Sequence, residues 1–532
     1  MQSPLNTRSA IAVTVILTVL ICSALLILPG ATATSRYFND LLIFLDGGYR
    51  VVEGQVPNRD FHTALGPLSF YIPGFGYWLT GNLGLAMPVG LTALMAVTAP
   101  IMIHVLGTRV RPLIAIPWAI FMLLLMITPM NTGEIVMNIS FAMFYNRVGW
   151  ALIGLLLIMH LRPHTPARHQ ISRDTLAASL LTLILLYTKA TYGVVALGFL
   201  VLVLLQPIQR RWAALTLITV ALSGAVLEVF WGGTRMHIDD LLVASNVSGV
   251  LPLRDYVVSA METSGEYIMF LSLAALALWQ KGRFTDFLFY GFCICAGYAL
   301  LIQNFQVRGV VTLLAGGVVA AEHLSRQWRQ GLPYGADMVT RGAALVIIVL
   351  MVPIGLSSAA ALGLHATLVA TGAGIALDTP NGKDIRVVNT LDNGQFKFYA
   401  NYAASLEEGI ALLQSLTPAP DKVLVMDFVS PMTSLAGLNP PEGGTAWMHD
   451  GRNFDEEYHF SPEALLDGVD VIMVPQRPIA DTTTALMEDL YGPYISKHFA
   501  AVRHTSLWRV YRRQAPMVLP PMDLWNASDM PR

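Results

Sequence analysis

Ionisable residues are scarce in this chain, and those that could do chemistry gather in a few stretches. Asp46 directly follows the apolar run Leu41-Leu42-Ile43-Phe44-Leu45, and Asp60-Phe61-His62 comes soon after. A carboxylate beside an apolar run is partly desolvated, and such a group can act as a general base or hold a metal. A solvated loop acid or a helix cap is the plainer alternative for Asp46. His62 has no paired ligand in sequence and reads as a surface residue or a substrate contact. A second stretch holds Glu134 and Tyr145-Asn146-Arg147, whose guanidinium could grip a phosphate with two parallel hydrogen bonds. Lys189 stands between Leu186-Tyr187-Thr188 and Ala190-Thr191-Tyr192, and Arg308 closes the polar group Gln303, Asn304, Gln306. The stretch 231–264 carries Arg235, His237, Asp239, Asp240 and Arg254. One histidine beside adjacent acids is weak evidence for a metal, so structure or substrate contact ranks above metal there.

The elements that position these residues follow from composition. Of 532 residues 54% are hydrophobic and only 13% charged, about half the charge of a soluble domain. The apolar residues fall in blocks long enough to span a hydrocarbon core. The blocks predict about eleven spans, near 10–29, 86–107, 112–129, 147–161, 174–189, 191–206, 212–231, 265–279, 284–302, 307–324 and 342–364. The first is too long for a typical signal-peptide core and reads as an uncleaved span, although Ala31-Thr32-Ala33 resembles a cleavage site. The net charge of −2 gives no footprint for nucleic acid. Cys22, Cys293 and Cys295 all lie in apolar blocks and build neither a disulfide framework nor a zinc site.

Arginine and lysine orient the chain. One set of short loops holds Arg8, Arg109, Arg111, Arg162, Arg168, Arg173, Arg210, Arg211, Lys281, Arg283, Arg326, Arg329 and Arg341, and so faces the cytoplasm. The opposite loops hold most acids, among them Asp40, Asp46, Glu53, Asp60 and Glu134. An odd number of spans then places the N-terminus inside and the C-terminus outside. The apolar segment 66–81 cannot cross without putting Arg109 and Arg111 outside. Pro67, Pro73, Gly74 and Gly76 argue against a regular helix, so it is expected to be interfacial or re-entrant on the outer face. With depth assigned, Lys189 and Arg147 acquire two readings each. A lysine at the bilayer centre costs about 2.5–3.5 kcal/mol on insertion scales, so contact with phosphate is one reading and snorkelling to the surface the other.

The tail from 365 changes character. Lys422-Val-Leu-Val-Met-Asp427 and Asp470-Val-Ile-Met-Val-Pro475 read as buried strands, and Ser506-Leu-Trp-Arg-Val-Tyr511 as a last strand. The stretches 403–416 and 481–491 have helical spacing. Alternating strands and helices predict a small α/β domain. The organisation is thus 1–364 in the membrane, with a long first outer loop 30–85, followed by 365–532 outside.

The first loop resembles a family. An outer-face acid after span one, then Gly54-x-x-Pro57-x-x-Asp60-Phe61, then Gly66-Pro67-Leu68 before the next span, is similar to the GT-C glycosyltransferases, in the bacterial branch of aminoarabinose and protein O-mannosyltransferase-like enzymes. The resemblance implies a multi-pass α-helical GT-C fold with a C-terminal soluble α/β domain, in the bacterial inner membrane, with that domain periplasmic. It implies sugar transfer from a polyprenyl-phosphate donor to a glycan, lipid or protein acceptor. By position, Asp46 corresponds to the family's loop-one acid and Asp60 to the acid of the Asp-Phe element. Where the family often has Asp-Glu, Gly47 follows Asp46 here. The resemblance assigns Asp46 as base, with Asp60 supporting it, orienting the acceptor or ligating a divalent ion. Arg147, Lys189 and Arg308 become candidates for the donor phosphate, and Glu134, His62, Arg235 and His237 for substrate contact. No cofactor follows with certainty, a divalent cation such as Mg or Mn being the one left open. A transporter or flippase of lipid-linked glycans and a non-catalytic assembly protein are the competing readings. The transporter should place ionisable residues near the midplane of several spans, whereas most acids here fall in outer loops.

Overall fold

A computed structural model describes residues 4–248, 253–302, 309–328, 335–391 and 394–514. The membrane part runs α1 (Pro4–Ile27), α2 (Phe38–Val52), α3 (Leu68–Thr80), α4 (Leu83–Arg109), α5 (Pro112–Ile127), α6 (Phe144–Leu157), α7 (Gln170–Thr188), α8 (Ala190–Leu204) and α9 (Arg210–Trp231). It continues through α10 (Thr234–Ser248), α11 (Leu253–Glu262), α12 (Ser264–Lys281), α13 (Phe284–Ile302), α14 (Val311–Trp328) and α15 (Gly335–Ala370). The remainder carries α16 (Gln395–Ser415), α17 (Met432–Ala436), α18 (Pro462–Leu466) and α19 (Asp481–His498). Among the described residues there are seven strands: β1 (Thr32–Thr34), β2 (Ile375–Ala376), β3 (Ile385–Val387), β4 (Val423–Val425), β5 (Val471–Pro475), β6 (Phe499–His504) and β7 (Trp508–Arg513).

Each expected span falls largely on a helix. By length and composition, however, six helices among the described residues can cross a membrane, in α1, α4, α7, α9, α13 and α15, while α5, α6 and α8 are shorter apolar helices. These helices are apolar on faces that the protein itself does not cover: Val229 and Phe230 of α9 are 80% and 85% exposed. Surfaces of that kind require lipid as solvent, and the chain is an integral membrane protein.

The segment 66–81 departs from expectation. Residues Leu68–Thr80 form a regular helix, α3, with Pro73 inside it. Packing outweighs the local cost of proline and glycine. A Cβ on Gly76 would stand 2.1 Å from the Ala86 carbonyl oxygen, and one on Gly90 2.1 Å from that of Ile72. The two glycines let α3 and α4 touch backbone to backbone, and α2 packs on the other side of α3.

The C-terminal strands β4, β5 and β7 fall on the stretches read from the sequence as two buried strands and a last strand. Their sheet has order β4-β5-β7-β6, with β4 and β5 parallel and the other pairs antiparallel. Successive residues of a strand face opposite ways. Val423, Val425, Val471 and Met473 join a core continuous with the helical bundle, whereas Leu424, Met426, Ile472 and Val474 pack with α18 and α19. The first loop and the tail are stitched together again at β1, which pairs parallel to β3 with Ala33 opposite Arg386.

Candidate active site

A cavity of 460 Å³ opens where α2, α6, the α7–α8 junction and the C-terminal part meet. Its acid is Asp40, in the first turn of α2. Helical spacing places Tyr37, Ile43 and Phe44 on the same face, and all three also line the cavity. Burial pushes the Asp40 carboxyl up to about 7. Asn39 donates to its Oδ1 at 3.2 Å.

Two cations share the cavity with Asp40. Lys189 breaks the helical run between α7 and α8 in an extended conformation (φ −157°, ψ 118°). Its Nζ donates to Asn146 Oδ1 at 3.1 Å and lies 5.1 Å from the centre of the Tyr145 ring. Arg452 enters from the C-terminal part with Phe428, Trp447 and His449. The Gly66-Pro67 element of the first loop sets the break that presents Lys189. Gly66 N–H donates to the Thr188 carbonyl at 3.2 Å, as does Ser69 Oγ at 3.1 Å. A Cβ at Gly66 would meet the Tyr187 carbonyl oxygen at 2.2 Å, so only glycine permits this approach.

The backbone adds positive potential. Tyr37, Met143 and Lys189 are the residues preceding α2, α6 and α8, none of these helices has a side-chain cap, and all three residues line the cavity. Three helix starts therefore converge on it, each presenting the positive end of a helix dipole. Tyr37 and Met143 are held at φ 54° and φ 52°, conformations uncommon for residues with side chains. Tyr37 is braced by Glu134, whose Oε1 accepts from the phenol at 2.9 Å, and by the Tyr399 hydroxyl, which accepts its N–H at 3.0 Å. The cavity can therefore take a proton at one point and hold an anion at another.

No family model matches this chain, and no curated protein does. Among solved structures it is similar to the crystal structure of ArnT from Cupriavidus metallidurans in the apo state, at 12% identity and a TM-score of 0.46, over 93% of this chain and 97% of that one.

Of the candidate catalytic, phosphate-binding and substrate-binding residues read from the sequence, only Lys189 among the described ones lines this cavity, with Tyr145 and Asn146 from the stretch that ends at Arg147. Asp46 stands elsewhere. It is buried in an ion pair with Arg50 Nε at 2.8 Å and accepts from Thr433 Oγ1 at 3.3 Å. Arg50 Nη1 in turn donates to Gln55 Oε1 and to the Pro441 carbonyl, and Gln55 Nε2 to the carbonyls of Pro440 and Pro441. This network docks residues 433–441 on α2. Asp60 closes a turn, accepting the Val56 N–H at 2.7 Å and pairing with Arg59 at 2.8 Å, which holds its carboxyl below the usual range.

Arg147 is buried outside the cavity lining. Its Nη1 donates to Asn131 Oδ1 at 2.8 Å and to the Ala142 carbonyl at 3.0 Å. Glu134 reaches the site only through Tyr37. Arg235 is exposed, with its N–H donated to Glu228 Oε2 at 3.3 Å. His237 is buried on α10, with neither ring nitrogen paired among the described residues, and burial pushes it down to about 4. His62 lines a different, second cavity. Arg308 lies outside the described residues. Among the described residues no three histidine, cysteine, aspartate or glutamate side chains group as metal ligands.

The strand-end acids of the tail are structural. Asp427 accepts the N–H groups of Phe428, Ile479 and Ala480 at 2.7–3.2 Å, which fixes Phe428 against the cavity. Asp470 Oδ2 accepts those of Asp421 and Lys422. Asp40 and Arg452 were the functional candidates that sequence reasoning passed over. For Asp40 a signal existed: placing both loop acids on a helix separates their faces, whereas reading the loop as irregular does not.

Proposed function

We propose that the protein transfers a sugar from a polyprenyl-phosphate donor to a hydroxyl on a glycan, lipid or protein acceptor, at the periplasmic face of a bacterial inner membrane. The observation that carries this reading is one desolvated carboxylate, Asp40, sharing a cavity with Lys189, Arg452 and three uncapped helix starts. A hydroxyl is a poor nucleophile and needs a base poised near the working pH. Asp40 takes that role in place of Asp46, whose charge is already committed to Arg50.

The acceptor oxygen attacks the anomeric carbon while its proton passes to an Asp40 carboxylate oxygen. The bond from the anomeric carbon to the phosphate oxygen breaks, and its electron pair leaves on the lipid phosphate. Negative charge developing there is met by the Lys189 ammonium, the Arg452 guanidinium and the backbone N–H groups at the starts of α2, α6 and α8. The phosphate so held lies at the outer ends of apolar helices, where a lipid-linked donor presents its headgroup.

The test is transfer from a panel of polyprenyl-phosphate sugars by full-length protein in nanodiscs, with Asp40→Asn beside wild type. Loss of transfer with retained donor binding supports the reading. Full activity of Asp40→Asn would remove the base.

A further inference from the structure

The second cavity, of 340 Å³, lies beside the first and differs from it in charge. Adjacent residues divide the two. Ala64 faces the second and Leu65 the first, and Asn453 faces the second while Arg452 faces the first. The first holds Lys189 and Arg452; the second has no lysine or arginine among the described residues that line it, and instead offers Asp239, Asp240 and Glu457.

This cavity is built from three separate parts of the chain. Asp240 of α10 is its joint: its carboxylate accepts from His62 Nδ1 at 2.7 Å, Asn58 Nδ2 at 2.8 Å and the Thr63 N–H at 3.0 Å. With Nδ1 committed to Asp240, His62 keeps Nε2 for a ligand. Its ring packs against Phe460 with centres 4.8 Å apart, which joins the first loop to the C-terminal part. Asp240 is thus committed to structure, whereas Asp239 and Glu457 are exposed.

We infer that this second cavity binds the acceptor, and that the acceptor portion it takes is a saccharide without acidic groups, neutral or amine-bearing. The inference rests on the glycosyl-transfer reading above and names its substrate class. Aromatic surface from Tyr458 and Phe460, carboxylates from Asp239 and Glu457 and the His62 Nε2 form a mixed apolar and hydrogen-bonding lining, while Asn453 and Thr445 brace it through bonds to the Trp447 carbonyl. A sugar presents the same alternation, with C–H faces for the rings and hydroxyls for the acceptors. The carboxylates attract an ammonium and repel a uronate or a phosphate, so the lipid phosphate and the acceptor sort into neighbouring cavities by charge. The partition is one residue thick in sequence, which places a saccharide bound here next to the cavity that holds Asp40.

The experiment is saturation-transfer NMR on full-length protein in nanodiscs, with deacetylated chitotriose, maltotriose and tri-galacturonate as probes. Deacetylated chitotriose and maltotriose should bind and tri-galacturonate should not. Glu457→Lys, an exposed position, should weaken deacetylated chitotriose at least tenfold and admit tri-galacturonate. Phe460→Ala should weaken both binding probes, and binding of polyprenyl phosphate should persist in both variants. Equal binding of all three probes, or of none, while polyprenyl phosphate still binds would overturn this inference and leave the transfer reading standing. Saccharide binding without transfer from any donor would overturn the transfer reading and leave this cavity as a saccharide site.

Discussion

Asp40 and Asp46 stand on different faces of one helix: Asp40 lines the cavity, and Asp46 is buried against Arg50 at 2.8 Å. Six residues of α-helix turn the second carboxylate by about 120° from the first. That rotation separates a group free to exchange a proton from one whose charge holds two parts of the chain together. Asp40→Asn should therefore lower transfer by about 10²–10⁴-fold, the usual worth of a general base, with little change in donor KM. Initial rates at saturating donor measure it.

The rate should also follow pH through Asp40. Its carboxyl is pushed up to about 7 by burial, and a base works only when deprotonated. Transfer is expected to fall away on the acidic side as the Asp40 carboxylate takes up its proton. Stability should run the other way. A carboxyl whose folded pKa lies above its unfolded value favours the fold when protonated, so that contribution is present below about 4 and lost as pH climbs through about 7. Asp40→Asn should flatten thermal stability across pH 4–7, and a thermal-melt series over that interval checks it.

Asp46 predicts a different phenotype. Asp46→Ala leaves the Arg50 guanidinium buried and unpaired, a change that costs about 3–5 kcal/mol when one member of a buried pair is removed. The loss should appear as a lower melting temperature and easier proteolysis around 433–441, because those residues rest on this network through Thr433 and Pro441. An Asp46→Leu, Arg50→Met double variant should recover part of the stability. Its transfer activity should recover with it, which a catalytic Asp46 would not permit.

These contrasts explain what was legible in the sequence. The span-length helices were, because apolar blocks of membrane length carry their own signal, and so were the strands at 423–425 and 471–475, which are continuous apolar runs buried between two cores, and the alternating strand at 508–513. Lys189 stood out as a cation in apolar surroundings. The helix α3 was hidden, since Pro73, Gly74 and Gly76 argue locally against it and only the backbone contact with α4 shows why glycine is there. Asp40 and Arg452 were hidden for a different reason. The cavity joins positions 412 residues apart, 40 and 452, and although helical spacing separates the faces of Asp40 and Asp46, no local pattern reports the meeting of Asp40 with Arg452.

Lys189 and Arg452 should contribute to donor binding together. Alanine at either position is expected to raise donor KM about tenfold or more, since a charge-assisted hydrogen bond is worth about 1.5–3 kcal/mol. The double variant should be less than additive if both hold the same phosphate. A full set of four KM values gives the coupling directly, and strict additivity would place the two cations on separate groups.

Gly66 offers the most indirect test, because it touches neither substrate nor cation. A methyl group there would stand 2.2 Å from the Tyr187 carbonyl oxygen, which belongs to backbone and cannot move alone. Gly66→Ala must push the first loop away from the α7–α8 junction, and the Gly66 and Ser69 hydrogen bonds to Thr188 would lengthen or break. Lys189, one residue further on, would leave its place beside Asn146. The expected result is a donor-binding defect resembling Lys189→Ala in a protein whose membrane helices remain intact by circular dichroism. Adding Lys189→Ala to Gly66→Ala should then cost little more. A Gly66→Ala protein that binds donor like wild type would break the proposed link between the Gly-Pro element and the phosphate.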